Sequence, residues 1–329
     1  MNRIDPPARS GNPAPGATGI VPAAGMATEE AAVRAPDLSR ARRLAGGLVA
    51  LTKPRIVELL LVTTVPTMIL ADRGMPSPVL IAATVFGGAL AAGGANALNM
   101  VYDRDIDAVM SRTRHRPIVT GDVSPRAATT FALGLEAAAF LLLYTVANPL
   151  AAGLAVGAAA FYVGVYTMGL KRRTRHNIVI GGAAGAAPPL VAWAAVAGHL
   201  GTAPWVLFAL VFLWTPPHFW ALAIRFKDDY GEAGVPMLPV AAEGRTVANQ
   251  IAAYALALCA VSLILGPVAH LGPAYLVVAV VAGVVLLWKV CGLRAAPTPE
   301  RALQVFHYSI SYLTLIFAAV AVVVLVGRP

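Results

Sequence analysis

Nine apolar runs of about twenty residues follow one another along this chain, and nothing else in it constrains the fold more tightly. They cover roughly 56–72, 79–101, 127–147, 150–169, 178–198, 204–224, 248–269, 273–291 and 304–326. A helix of that length crosses the hydrocarbon layer of a bilayer, and lipid cannot satisfy backbone groups that a helix leaves open. Charged residues make up only 12% of the 329, against about 25% in soluble domains. Glycine pairs such as Gly87-Gly88, Gly93-Gly94 and Gly181-Gly182 lie inside the runs, where small residues let membrane helices approach closely. The expected fold is all-α: a polytopic membrane bundle of about nine transmembrane helices.

The basic residues are distributed with the same regularity. Arg42, Arg43, Lys53 and Arg55 precede the first run. Arg104, Arg112, Arg114, Arg116 and Arg126 follow the second, Lys171, Arg172, Arg173 and Arg175 the fourth, and Arg225, Lys227 and Arg245 the sixth. Lys289, Arg294 and Arg301 stand between the eighth and ninth, whereas the opposite loops offer only Arg73 and, at the chain end, Arg328. The positive-inside bias therefore predicts a cytoplasmic N-terminus and an outside C-terminus, as an odd number of spans requires. It also accounts for the net charge of +9 without nucleic acid. Residues 1–45 are rich in Pro, Ala and Gly and lack the 7–15-residue apolar region of a signal peptide; a disordered cytoplasmic tail is expected there, with the membrane domain over 46–329. Cys259 and Cys291 form no CxxC pair and read as packing residues.

Chemistry concentrates where even-numbered spans reach the cytoplasmic side. Asn99, Asp103 and Asp107 recur at intervals of four, which puts them on one helical stripe, with Asp105 pointing elsewhere. Three oxygen-bearing side chains on one face suit magnesium, which bridges carboxylates to substrate phosphates; a solvated, salt-bridged helix end is the alternative. Arg112, Arg114 and Arg116 follow, and arginine matches phosphate oxygens bidentately, although these arginines also serve topology. A second acidic group, Asp228, Asp229 and Glu232, opens the loop after span six, with Asp229 the stronger choice of ligand and a polar loop start the alternative. Two such groups four spans apart suggest two four-helix units plus one helix, with a cytoplasm-facing active site holding two magnesium ions on one diphosphate.

Polar residues also occur inside the spans. Glu58 lies one turn into span one, where it supports an arginine or a metal site or is structural, and Asn96 lies one turn before Asn99, where it extends that polar stripe. His218 lies in Trp214-Thr-Pro216-Pro217-His218-Phe219-Trp220, and a histidine beside a proline-opened helix is a ligand, a base or a packing residue. Phe161, Tyr162, Tyr166, Trp214, Phe219 and Trp220 could line an apolar chamber whose aromatic faces stabilise a cation. A transporter is the competing class, but transporter sites favour the bilayer midplane and these acids cluster at the surface.

The stretch from Asn99 through Asp103, Asp105 and Asp107 to Pro117 resembles the UbiA-type intramembrane prenyltransferases, and within them the branch that farnesylates protohaem IX. Thr52-Lys53-Pro54-Arg55, the stretch 170–177 running into Gly181-Gly182, the stretch 214–220, and Asp229-Tyr230 leading to Pro239 agree with that branch over about residues 48–326. The resemblance implies transfer of a farnesyl group from farnesyl diphosphate to a vinyl group of protohaem IX, with water addition, giving haem O and diphosphate. Another aromatic or tetrapyrrole acceptor is the alternative. It implies magnesium held by Asn99, Asp103, Asp107, Asp228 and Asp229, with Asp103, Asp107, Asp229 and His218 catalytic. Diphosphate would be held by Arg112, Arg114, Arg116, Lys171, Lys53 and Arg55. It further implies a multi-pass location in a bacterial-type inner membrane and a downstream haem-modifying enzyme as recipient of the product.

Overall fold

The computed structural model describes the backbone of residues 38–54 and 56–327, with side chains from 41 to 54 and from 62 to 327. The expected tail up to 37 lies outside the described residues, as do the side chains of Arg55 and Glu58.

Fourteen α-helices follow in order among the described residues: α1 (Leu38–Leu51), α2 (Ile56–Asp72), α3 (Pro78–Tyr102), α4 (Arg104–Val109), α5 (Pro125–Val146), α6 (Pro149–Phe161), α7 (Asn177–Gly185), α8 (Pro188–Ala197), α9 (Thr202–Arg225), α10 (Lys227–Glu232), α11 (Leu238–Ala241), α12 (Gly244–Val268), α13 (Gly272–Ala295) and α14 (Pro299–Val326). Helix α6 runs on as a π-helix over Tyr162–Leu170. Eight spans are long and apolar enough to cross a membrane, α7 and α8 counting together, and the shorter α2 stands where the first apolar run was expected. Four begin alike: Ser77, Ser124, Asn148 and Thr298 each cap a following amide with a side-chain oxygen, and proline takes the next position. Such a cap satisfies an otherwise open N–H, and proline has none to lose there.

The spans close on one another. Helix α3 packs on α5, α5 on α6, α6 on α8, α9 on α12, and α12 on α13; α14 then returns to α9 and α2. One apolar core joins α9, α12, α13 and α14, while another joins α3, α5, α6 and α8. The fifth span is shared, since α7 packs on α9 and α8 on α6. Close approach explains Gly87, where an added Cβ would lie 2.7 Å from the Leu143 side chain of α5. Large apolar side chains remain exposed on the outer surface, Val79 at 68% and Trp288 at 71%. An apolar belt of this kind belongs against lipid, and the protein is a multi-pass membrane protein.

Residues 38–45, expected in the tail, are instead the start of α1. Its sequence puts Leu48 and Leu51 on one face, and Leu51 is buried with Ala97, Met100, Ile118 and Val123. Helix α1 thereby braces the segment that follows α4 and delivers Lys53 to the basic side of the bundle.

Candidate active site

Helices α3 and α4 are nearly continuous. Asp103 N donates to Asn99 O and Asp107 N to Asp103 O, both at 2.9 Å, so the four-residue spacing does place Asn99, Asp103 and Asp107 on one face. All three are buried, at 3%, 0% and 2% exposure. Asp103 Oδ2 accepts from Asn99 Nδ2 at 2.7 Å and from Lys171 Nζ. Its Oδ1 is buried without a hydrogen bond, and Arg172 Nη2 stands 3.5 Å away. Asp107 Oδ2 accepts from Arg116 Nη1 at 2.5 Å, and Thr113 Oγ1 donates to the Asp107 carbonyl at 3.1 Å. Asp105 turns outward and takes both arms of Arg172 at 2.6 Å. That fork holds its carboxyl down at about 2.

The π-helix brings further groups in. Its wider turn lets Thr167 Oγ1 donate to Tyr162 O at 3.0 Å while accepting from Asn99 Nδ2 at 3.1 Å, and Lys171 ends it. From the other side Lys53 Nζ donates to Asn96 Oδ1 at 3.0 Å. Lys53 has a φ of 51°, a left-handed conformation costing a non-glycine residue about 1 kcal/mol or more. Burial and the charges of Arg116, Lys171 and Arg112 push its ammonium down to about 7, with Asp107 opposing them. Cations therefore outnumber carboxylates around this face, the balance a polyanion would satisfy.

The second acidic group lies on α10. Asp229 is half-buried and its Oδ2 accepts from Ser111 Oγ at 2.6 Å, tying α10 to the segment after α4. Val235 and Met237, beyond α10, pack with Ile106 of α4 and Ile178 of α7 and clamp the same junction. Asp228 and Glu232 are exposed. Arg112 lies over the Phe226 ring at 5.8 Å.

Among the described residues no three His, Cys, Asp or Glu side chains form a ready-made metal cage. The donor set nevertheless suits magnesium, which takes one or two carboxylates and fills its octahedron with water and phosphate oxygens. The buried Asp103 Oδ1, which accepts no hydrogen bond, is the atom such an ion would satisfy.

A cavity of about 330 Å³, with Asn96 in its lining, runs between α2, α3, α6, α7, α8 and α9. Small residues of α3 and α7 form much of its wall, together with Tyr162, Tyr166, Trp214 and Phe219. Asn96, which accepts from Lys53, thus joins the polar face to the wall of an apolar chamber.

Residues 60–326 match the UbiA prenyltransferase family. The chain belongs to that family. Among its relatives, the protoheme IX farnesyltransferase of Frankia alni is 54% identical over 282 residues, covering 84% of this chain and 97% of the relative. That of Streptomyces avermitilis is 51% identical over 280 residues, covering 83% and 92%. The fold is shared with a structure of digeranylgeranylglyceryl phosphate synthase in membranes, at a TM-score of 0.71 and 16% identity over 85% of this chain and 98% of that one. It is shared too with a UbiA homolog from Archaeoglobus fulgidus bound to DMAPP and Mg2+, at a TM-score of 0.58 and 16% identity over 84% and 99%.

This UbiA prenyltransferase brings Asn99, Asp103, Asp107, Arg116, Lys171 and Lys53 together, with Arg112 near enough to act on Lys53. Asp229 joins through Ser111, while Asp228 and Arg114 stay exposed outside that network. Arg55 lies outside the described residues. His218 does not line the cavity: it stacks on Trp214 at 4.2 Å and on Phe306 at 4.5 Å, and its Nδ1 meets Ser309 Oγ at 2.8 Å. Trp214, its neighbour, does face the chamber. Phe161 and Trp220 are not in the wall, and Trp220 packs edge-on against Tyr254.

A diphosphate held by Lys53 would give this prenyltransferase a pH signature. An anion there would favour the charged ammonium, so binding above about pH 7 would take up a proton. Pyrophosphate affinity would then fall by up to about tenfold per pH unit as pH rises. Calorimetry on Lys53→Arg, which stays charged, is expected to lack that component.

Proposed function

We propose that this enzyme transfers a farnesyl group from farnesyl diphosphate to a vinyl group of protohaem IX, with water addition, giving haem O and diphosphate. The carrying observation is the buried Asp103, whose Oδ1 accepts no hydrogen bond, in a surplus of cations of which Lys53 donates to Asn96 in the wall of an apolar chamber. The acceptor is supported by relatives above 50% identity that bear the name protoheme IX farnesyltransferase. The basic side then faces the cytoplasm of a bacterial inner membrane.

Asn99, Asp103 and Asp107 would hold one magnesium ion, and Asp229 with Asp228 a second. Bound magnesium supplies charge neutralisation to the diphosphate oxygens and so makes diphosphate a better leaving group. Lys171, Arg116, Lys53 and Arg112 add fixed positive charge where negative charge grows as the C–O bond breaks. The electron pair leaves with diphosphate, and the allylic cation forms in the chamber. Tyr162, Tyr166 and Trp214 line it, aromatic side chains of the kind that stabilise a cation, while the apolar wall delays its capture by water. The vinyl carbon then bonds to the farnesyl carbon. Water adds to the resulting cation beside the macrocycle, and its proton is released.

Expression in bacterial membranes lacking their own haem O activity tests this. Extracted haem is expected to contain a species heavier than protohaem by a farnesyl group plus a hydroxyl. Protohaem alone, beside folded enzyme and farnesyl diphosphate, would exclude this acceptor.

A further inference from the structure

Arg172 stands between two carboxylates of unequal need. Its fork holds the exposed Asp105, whose side chain is 63% accessible, and Nη2 also donates to Tyr102 O at 3.1 Å. Its guanidinium lies 4.9 Å over the Tyr102 ring. The fully buried Asp103 is left with Nη2 at 3.5 Å from an Oδ1 that accepts no hydrogen bond. An arginine beside a buried carboxylate gains more by pairing with it, because charge-assisted bonds strengthen away from water. Here the exposed partner has taken the fork instead. Arg172 Nε, moreover, is buried without a partner, so the guanidinium has a donor to spare.

We propose that Asp105 is a positioning residue: by taking both arms of the Arg172 fork it limits Arg172 to a 3.5 Å ion pair with Asp103 Oδ1 and leaves that oxygen open to the metal ion. The proposal rests on the magnesium reading above. Without the Asp105 carboxylate, the nearest anion to Arg172 is Asp103, and a guanidinium paired to Oδ1 competes directly with a cation for that atom.

Manganese binding to the detergent-purified full chain without substrate, followed by electron paramagnetic resonance, separates the possibilities. Asp105→Asn is expected to weaken binding about tenfold, as loss of an outer-shell partner does. The loss is expected to persist in about 0.5 M KCl, where an exposed charge acting at a distance is screened. Asp105→Glu is expected to retain affinity. Adding Arg172→Gln to Asp105→Asn is expected to restore it, because the competing cation is gone. Unchanged affinity in Asp105→Asn, a loss that disappears in salt, or a loss that Arg172→Gln does not reverse would overturn the proposal. If the unsubstituted enzyme shows no manganese site sensitive to Asp103→Asn, the magnesium reading falls, and this proposal with it.

Discussion

Asp103→Asn lowers the rate of prenyl transfer by about 1,000-fold or more while leaving a folded enzyme in the membrane. Asp103 is fully buried and hydrogen-bonded on one oxygen, while the other accepts no hydrogen bond and meets only Arg172 at 3.5 Å. Asparagine keeps its size and its contact with Asn99 but cannot offer a second anionic oxygen. Asp103→Ala is the harsher change: both substitutions remove the counter-charge of Lys171, but alanine also removes the oxygen that accepts from Asn99 and Lys171 and so leaves buried donors unsatisfied, at about 1–3 kcal/mol. The two variants together separate chemistry from folding. Both should lose transfer, and the alanine variant should unfold at the lower temperature of the two. A transfer assay paired with thermal unfolding in detergent checks this; full activity in Asp103→Asn would remove the metal site from the account.

Gly181→Ala should lower kcat/KM for farnesyl diphosphate by about 10- to 100-fold, because overpacking costs about 1–3 kcal/mol. Gly181 lines the chamber on α7, and a Cβ there would fall 2.2 Å from Tyr166 Cδ2. The Tyr166 ring cannot give way freely, since it stands on the π-helix that also carries Thr167 and leads to Lys171. Displacing it either narrows the chamber or disturbs the Asn99 contact. Gly88 supplies the control: it lines the same chamber with nothing within 4 Å of an added Cβ, so Gly88→Ala should change activity only slightly. Steady-state kinetics on both variants, with manganese affinity measured beside them, decides whether the effect lies in the chamber. Equal effects at the two glycines would contradict it.

Every apolar run marks a helix, because the bilayer demands about twenty residues per crossing and leaves that demand visible in the chain. The stripe of Asn99, Asp103 and Asp107 is legible for a similar reason: it depends only on helical period, which α3 and α4 preserve across their junction. Features that depend on distant partners were not legible. Nothing local announces that Thr167 contacts Asn99, since the contact needs a π-turn that shifts the register of one span against another. The break between α7 and α8 also lines the chamber, yet Gly185 and Pro188 sit in an apolar run that reads as one span. Ser111 bonding to Asp229 is a long-range event between two loops. The amphipathic pattern of α1 was present in the sequence but was obscured by the Pro-, Ala- and Gly-rich stretch before it. His218 carries an intramembrane signal that fits a ligand and a packing residue equally. Its rings on either side, Trp214 and Phe306, come from helices far apart in the chain.

The most direct measurement uses the purified enzyme in lipid, given farnesyl diphosphate and protohaem IX with and without magnesium, with haem mass and released pyrophosphate followed together. The account predicts one pyrophosphate released for each haem that gains a farnesyl group and a hydroxyl, with both signals lost when magnesium is withheld or Asp103 is replaced by Asn. Undiminished transfer in the absence of divalent metal, or pyrophosphate release with no change in the haem, would contradict it.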